Sequence, residues 1–196
     1  MQPAAERPEV WLRGNLRPAA TLGAALAIVA AAMLALAIGC RGQTWLFWVA
    51  VACSLALGLM AAGLAAVAAR PRLVRRGGVL RIRLAPLTAH DVPLEVVECV
   101  FPGSNPLAEA DESGPSRRVG TIVMRLAERA TGWRHRPTFT PWGTWDDGHV
   151  VIDGRWCEPL SLELTRKLGQ RILEAKREVA APAGAAAVPG ANPGGP

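Results

Sequence analysis

Charge is missing from two long stretches near the start of the chain: no Asp, Glu, Lys, Arg or His lies in residues 18–40 or 44–69. A buried helix in a small soluble domain seldom runs so far without a charge. The same absence removes the main support for a transporter or pump, because ion pathways and proton relays usually need an ionisable group inside the membrane. Compact signatures of chemistry are missing as well. No Cys-x-x-Cys, His-Glu-x-x-His or P-loop occurs, and Gly77-Gly78 is too short for a dinucleotide fingerprint. No cofactor is expected. Lysine is scarce, with only Lys167 and Lys176, so arginine carries the net charge of +6. In a chain rich in Ala, Gly and Pro this bias follows composition, and several arginines sit where membrane topology calls for them. A nucleic-acid partner is therefore not expected. Cys40 and Cys53 lie in or beside the uncharged stretches, whereas Cys99 and Cys157 belong to a domain placed below in a reducing compartment, so structural disulfides are not expected.

What is present is a membrane hairpin. About 20 helical residues cross a hydrocarbon core of about 30 Å, and both stretches are long enough. The first is alanine-rich, with Leu22, Leu26, Ile28, Val29, Leu34, Leu36 and Ile38 each contributing about −0.3 to −0.6 kcal/mol to insertion. The second opens with Trp45 and Trp48, rings that favour the headgroup level. Only residues 40–43 separate the spans, so they must be antiparallel neighbours. Arg7, Arg13 and Arg17 precede the first span, Arg41 lies in the turn, and Arg70, Arg72, Arg75, Arg76, Arg81 and Arg83 follow the second. The positive-inside rule then predicts a multi-pass protein of the cytoplasmic membrane with both termini in the cytoplasm. Ala37-Ile38-Gly39-Cys40 resembles a lipoprotein cleavage site, but residues 18–40 exceed the about 7–15 residues of a signal core and a second span follows at once.

Small residues recur every fourth position, as Gly23, Ala27, Ala31, Ala35 and Gly39 in the first span and Ala50, Ser54, Gly58, Ala62 and Ala66 in the second. Such rows allow close helix packing within the hairpin or in a homo-oligomer. Alanine is abundant enough here for composition alone to produce them.

Beyond the hairpin, composition separates a short N-terminal segment (1–17), a folded domain (70–179) and an Ala/Pro/Gly tail (180–196) too poor in bulky side chains to order. The domain begins with β patterning. Residues 72–76 and 79–84 flank Gly77-Gly78, a hairpin turn, and Leu80, Ile82 and Leu84 alternate with Arg81 and Arg83. Residues 92–101 suit a strand or a turn of helix, 102–118 a long loop, and 119–127 and 149–152 strands; Phe139 and Trp142 mark a further strand. Ser161 then caps a helix to Val179, with Leu164, Leu168 and Ile172 on one face. The expected class is α+β: a two-helix hairpin, then a small antiparallel β domain closed by one helix.

Two adjacent spans, the hairpin Arg75-Arg76-Gly77-Gly78-Val79-Leu80 and the segment Val92-Pro93-Leu94-Glu95-Val96-Val97 resemble the bacterial pleckstrin-homology-like membrane proteins. The resemblance implies a noncatalytic binding or scaffold module and supplies no catalytic residues. The acidic loop and the Trp-rich segment depart from that pattern. A different class, a membrane-bound enzyme or metal-dependent regulator, would use residues 133–158, where Trp133, His135, Trp142, Trp145, Asp146, Asp147, His149, Asp153, Trp156, Cys157 and Glu158 gather. His135, His149 and Cys157 could in principle hold a metal, and Cys157 with His149 could form a nucleophilic pair, but their spacing matches no compact signature. The tryptophans otherwise build core, and Asp146-Asp147-Gly148 makes a turn. Expected partners are the bilayer itself and either a protein or anionic lipid, with Arg72, Arg75, Arg76, Arg81 and Arg83 as the headgroup contacts.

Overall fold

Both uncharged stretches are helices. In the computed structural model, which describes residues 8–39, 44–106 and 118–185, α1 spans Arg17–Gly39 and α2 spans Thr44–Ala69. The side chain of Asn15 accepts a hydrogen bond from Arg17 N at 3.0 Å and so caps the start of α1. Each helix is long and apolar enough to cross a membrane. Their large side chains do not enter the domain core: Ile28 is 71% exposed and Leu59 75%. Apolar surface of that extent requires apolar surroundings.

The two helices meet along a seam that includes Ala19, Gly23, Leu26, Ala30 and Ala37 of α1 and Ala50, Ser54, Leu57, Ala61 and Ala68 of α2. Within each set the steps are 4, 3, 4 and 7 residues, the spacing of left-handed knobs-into-holes packing. The Ser54 hydroxyl lies 3.1 Å from Ala30 O across the seam and 2.9 Å from Ala50 O on its own helix. Within the hairpin, the small-residue rows coincide with this seam only in part. Gly23, Ala50 and Ser54 lie on the seam, but Ala27, Ala31, Ala35, Gly39, Gly58, Ala62 and Ala66 are exposed. A side chain begun at Gly23, Gly39 or Gly58 would meet nothing within 4 Å, so these glycines are not what lets the helices approach.

After α2 the chain forms β2 (Leu73–Arg76), β3 (Val79–Ile82) and β4 (His90–Pro93). As expected, β2 and β3 turn through Gly77-Gly78, with Gly77 at φ 58°. No strand was assigned to the segment ahead of α1, and there Glu9–Leu12 forms β1 and pairs antiparallel with β2 at the sheet edge, giving the order β1-β2-β3-β4. A second sheet holds β5 (Val97–Pro106), β6 (Arg118–Leu126), β7 (Gly143–Asp146) and β8 (His149–Asp153) in the order β5-β6-β8-β7. Asp147 and Gly148, at φ 45° and 72°, make the two-residue turn from β7 to β8.

Residues 92–101 turn out to hold two strand portions divided by a 3-10 turn at Leu94–Val96, whose Leu94 is buried. The first part of the expected long loop belongs to β5, and residues 107–117 lie outside the described residues. Phe139 and Trp142 are not in a strand. Phe139 N bonds Leu84 O at 2.8 Å and Trp142 N bonds Phe139 O at 2.8 Å, a turn that delivers the chain to β7.

Leu12, Leu73, Leu80, Ile82 and Val92 of the first sheet and Ile122, Met124, Leu126, Val150 and Ile152 of the second face one another in a single core. Helix α3 (Leu162–Ala185) packs against β5 and adds Leu168, Ile172 and Ala175. Ser161 caps it as expected, its Oγ accepting from Leu164 N at 3.0 Å. The helix continues past Val179 to Ala185; the rest of the tail, residues 186–196, lies outside the described residues. Two apolar helices, two antiparallel sheets and this closing helix make an α+β fold.

The N-terminal segment ties the two sheets together. Arg72 N donates to Leu12 O (2.9 Å), Asn15 N to Trp156 O (3.1 Å) and Glu158 N to Arg13 O (3.1 Å), while the Glu158 carboxylate accepts from Arg13 N at 2.8 Å. Between them Gly14 passes the end of α2 so closely that a Cβ there would overlap Ala68 O and sit 2.7 Å from Arg70 O.

Two outcomes follow for the full chain in detergent. Leu168→Ala should lose about 2–5 kcal/mol in denaturant unfolding, as buried leucines do, whereas Leu173→Ala, 54% exposed, should stay within about 0.5 kcal/mol of wild type. Equal stability of the two would mean that α3 does not bury the Leu168 face. Gly14→Ala adds one methyl but should cost about 1–3 kcal/mol, the range for overpacking, and a neutral result would show that the strap has room to move.

Candidate functional site at the base of the hairpin

Arg72 leaves α2 and turns inward. Its side chain is 1% exposed. The guanidinium carbon lies over the Trp142 ring, 3.5 Å from its centroid, and Nε donates to Trp156 O at 3.1 Å. Nη1 and Nη2 are buried without a hydrogen-bond partner, a deficit of about 1–3 kcal/mol per unmet group; the desolvated cation–π contact returns about 2 kcal/mol. Burial pushes this guanidinium down to about 10; nearby Cys157 works against the shift and Arg83 with it.

The five arginines expected to bind headgroups therefore do not form one surface. Arg72 is interior. Arg75 pairs with Glu178 of α3. Arg81 holds Asp91 through two bonds of 2.6 Å, and the hydrogen bonds from Arg81 keep that carboxyl below its usual range. Arg76 is exposed at the Gly77 turn, about 13 Å further along the strand than Arg72. Only Arg83 remains close to the hairpin, its backbone N bonded to Arg72 O at 2.9 Å. Burial, and then repulsion by Arg70, Arg81 and Arg76, lowers its pKa.

The polar residues of 133–158 are also dispersed. His135 meets Asp146 at 2.6 Å on the surface, His149 Nδ1 lies 3.0 Å from Asp147 O, and Asp153 is paired with Arg155 at 2.7 Å. Cys157 is buried, its Sγ 3.4 Å from Asp153 O. Burial foremost, with Asp153 and Glu158 adding and Arg72 opposing, pushes the thiol up to about 12. A thiol so placed is protonated at neutral pH and a poor nucleophile. Among the described residues no three His, Cys, Asp or Glu side chains converge as metal ligands. The tryptophans are largely structural: Trp133 and Trp145 stack at 6.0 Å, and Trp145 Nε1 donates to Trp133 O at 2.7 Å.

What the sequence reading missed is an apolar cleft of about 540 Å³ where the hairpin meets the domain. Leu22, Met60 and Val67 form the hairpin wall, and Phe139, Trp142 and Trp156 form the domain wall. Trp142 both lines the cleft and carries the Arg72 guanidinium over its ring, so the buried cation supports one wall. Pro86, also in the wall, accepts from Arg70 Nη1 at 3.3 Å through its carbonyl. The signal that could have found it was tryptophan itself, a residue of membrane interfaces as well as cores. No protein-family model, curated protein or solved structure matches the chain.

Cys157 provides a check on this arrangement. At pH 8 a maleimide should modify Cys99, which is exposed, and leave Cys157 unmodified until denaturant is added. As pH rises the unfolded thiol ionises near 9.0 and the folded one only near 12, so the unfolded state releases its proton first. This group's contribution to stability is present in full below pH 9 and is lost towards pH 12. Cys157→Ala should flatten that alkaline decline, and an unchanged pH profile would contradict the buried, protonated thiol.

Proposed function

We propose that the chain is a membrane-anchored, noncatalytic binding or scaffold module of the pleckstrin-homology-like type, held at the cytoplasmic face of a bacterial inner membrane with both termini inside. The observation that carries this reading is the pairing of β1 with β2 across the hairpin. Strands on either side of two membrane-length helices share one sheet, so both outer ends of the hairpin return to the same domain. Two antiparallel sheets over one core with a C-terminal helix suit the pleckstrin-homology-like pattern, and the arginine distribution supports the orientation. The polar side chains of 133–158 are engaged in turns, ion pairs and core, which favours binding over chemistry. What such a module offers a partner is a domain whose position relative to the bilayer is fixed by hydrogen bonds at both ends of the anchor.

Topology reporters fused to the N-terminus and after residue 185 should both read cytoplasmic. Crosslinking in intact membranes followed by affinity capture of the full chain should recover the same protein partner or second copy repeatedly. An external signal from either fusion would overturn the orientation, and capture of nothing beyond lipid would overturn the scaffold reading.

A further inference from the structure

We propose that the cleft at the hairpin base is a specific lipid site that takes one acyl chain of an anionic phospholipid, with the headgroup phosphate held by Arg17 and Arg70. The proposal rests on the membrane placement above, and three features identify the occupant. First, the hairpin wall of the cleft is continuous with surface facing the hydrocarbon: Leu22 and Met60, which line it, are also 51% and 50% exposed. An acyl chain therefore reaches the cleft without leaving the hydrocarbon, whereas a water-borne ligand would have to cross the headgroups. Second, the domain wall brings aromatic rings to the point where the helices emerge, and Phe139 and Trp142 meet edge to face at 5.8 Å. The volume of about 540 Å³ falls within the range of ligand sites, about 300–1,000 Å³.

Third, the rim is cationic. Arg17 directly precedes Pro18 in the cleft wall, and Arg70 follows α2 and bonds Pro86 O. Among the described residues no carboxylate pairs with Arg17, Arg70 or Arg83. Arg83 is further held in repulsion with Arg70. An apolar cleft with unneutralised arginines at its mouth complements a lipid with an apolar tail and a negative head. A zwitterionic phospholipid would fill the cleft and offer the same phosphate, but its own cation would leave the net positive charge of the rim uncompensated.

Gly63 makes the test clean. It lines the cleft, and a Cβ there meets nothing within 4 Å, so a side chain can start from this position without a clash and Gly63→Phe is the variant chosen to occupy the cavity. The full chain is reconstituted in phosphatidylcholine vesicles carrying a trace of phosphatidylglycerol with a photoreactive group on one acyl chain, and crosslinked peptides are mapped after illumination. The expected product joins lipid to the peptide containing Phe139 and Trp142, and excess unlabelled phosphatidylglycerol competes it away. Gly63→Phe should abolish that product while labelling of the outer surfaces of α1 and α2 persists and thermal stability is retained. Arg17→Gln and Arg70→Gln should each lower it about fivefold. A photoreactive phosphatidylcholine that labels the same peptide equally well would overturn the headgroup assignment. Lipid on the hairpin alone, or crosslinks from the cleft to a second copy of the chain, would overturn the site. The vesicles contain no other protein and their readout does not depend on orientation, so failure here and failure of the scaffold reading are separable.

Discussion

Backbone pairing between residues about sixty positions apart underlies the rest of the molecule. Glu9–Leu12 closes onto Leu73–Arg76, and the helical hairpin lies between them. Because the paired strands are antiparallel neighbours, α1 must begin and α2 must end beside the same sheet edge. The strap then continues past Gly14 to Asn15, where one residue donates to Trp156 O through its backbone and to Arg155 O through its side chain, and also caps α1. Helix position and sheet closure are thus set by the same few hydrogen bonds. A simple tether needs none of these contacts; a domain held at a fixed attitude does.

The buried arginine makes sense in that setting. A guanidinium at 1% exposure with two unpartnered nitrogens is a poor choice for stability alone. Arg72 is nevertheless in the first residues after α2, where the chain leaves an apolar helix and must become a strand. Its backbone N bonds the strap, its Nε bonds Trp156 O and its face supports Trp142. One residue therefore links the strap, the Trp156 turn and the wall of the cleft. The same low-dielectric pocket keeps the Cys157 thiol protonated at neutral pH.

Much of the fold was legible in local sequence because its causes are local. Gly77-Gly78 with alternating Leu80 and Ile82, Asp147-Gly148 before Val150 and Ile152, and Ser161 before the leucine stripe each express a backbone or periodicity rule within a dozen residues. The strand at Glu9–Leu12 was not legible, since four residues carry little period and their partner lies beyond the hairpin. The small-residue rows marked the hairpin seam only in part, for the opposite reason. In an alanine-rich helix many faces look packable, and only the facing helix selects the seam at Gly23, Leu26 and Ala30. Of the candidate site, the positive charge near the membrane end could be read, but its distribution could not. Arg75, Arg81 and Arg72 were assigned their roles by Glu178, Asp91 and Trp142, all distant or unpredictable in register. The cleft needs α1, α2 and two loops of the domain at once, and no single segment encodes it.

Strand length decides which charges can serve the bilayer. Strands rise about 3.3 Å per residue and headgroup attraction decays within a Debye length of about 8 Å at physiological salt. An arginine four residues along β2, such as Arg76, is then beyond useful range if the strand leads away from the membrane, while Arg17, Arg70 and Arg83 at the helix ends remain within it. Excess positive charge at the end of a span is therefore not a uniform patch. The part nearest the helices is the part the proposed lipid site uses; the part carried outward by β2 and β3 is engaged within the domain, where Glu178 and Asp91 neutralise Arg75 and Arg81. The distal pairs join β3 to β4 through Arg81 and Asp91 and β2 to α3 through Arg75 and Glu178, and among the described residues no carboxylate pairs with the proximal Arg17, Arg70 or Arg83, the arrangement that the proposed lipid site requires.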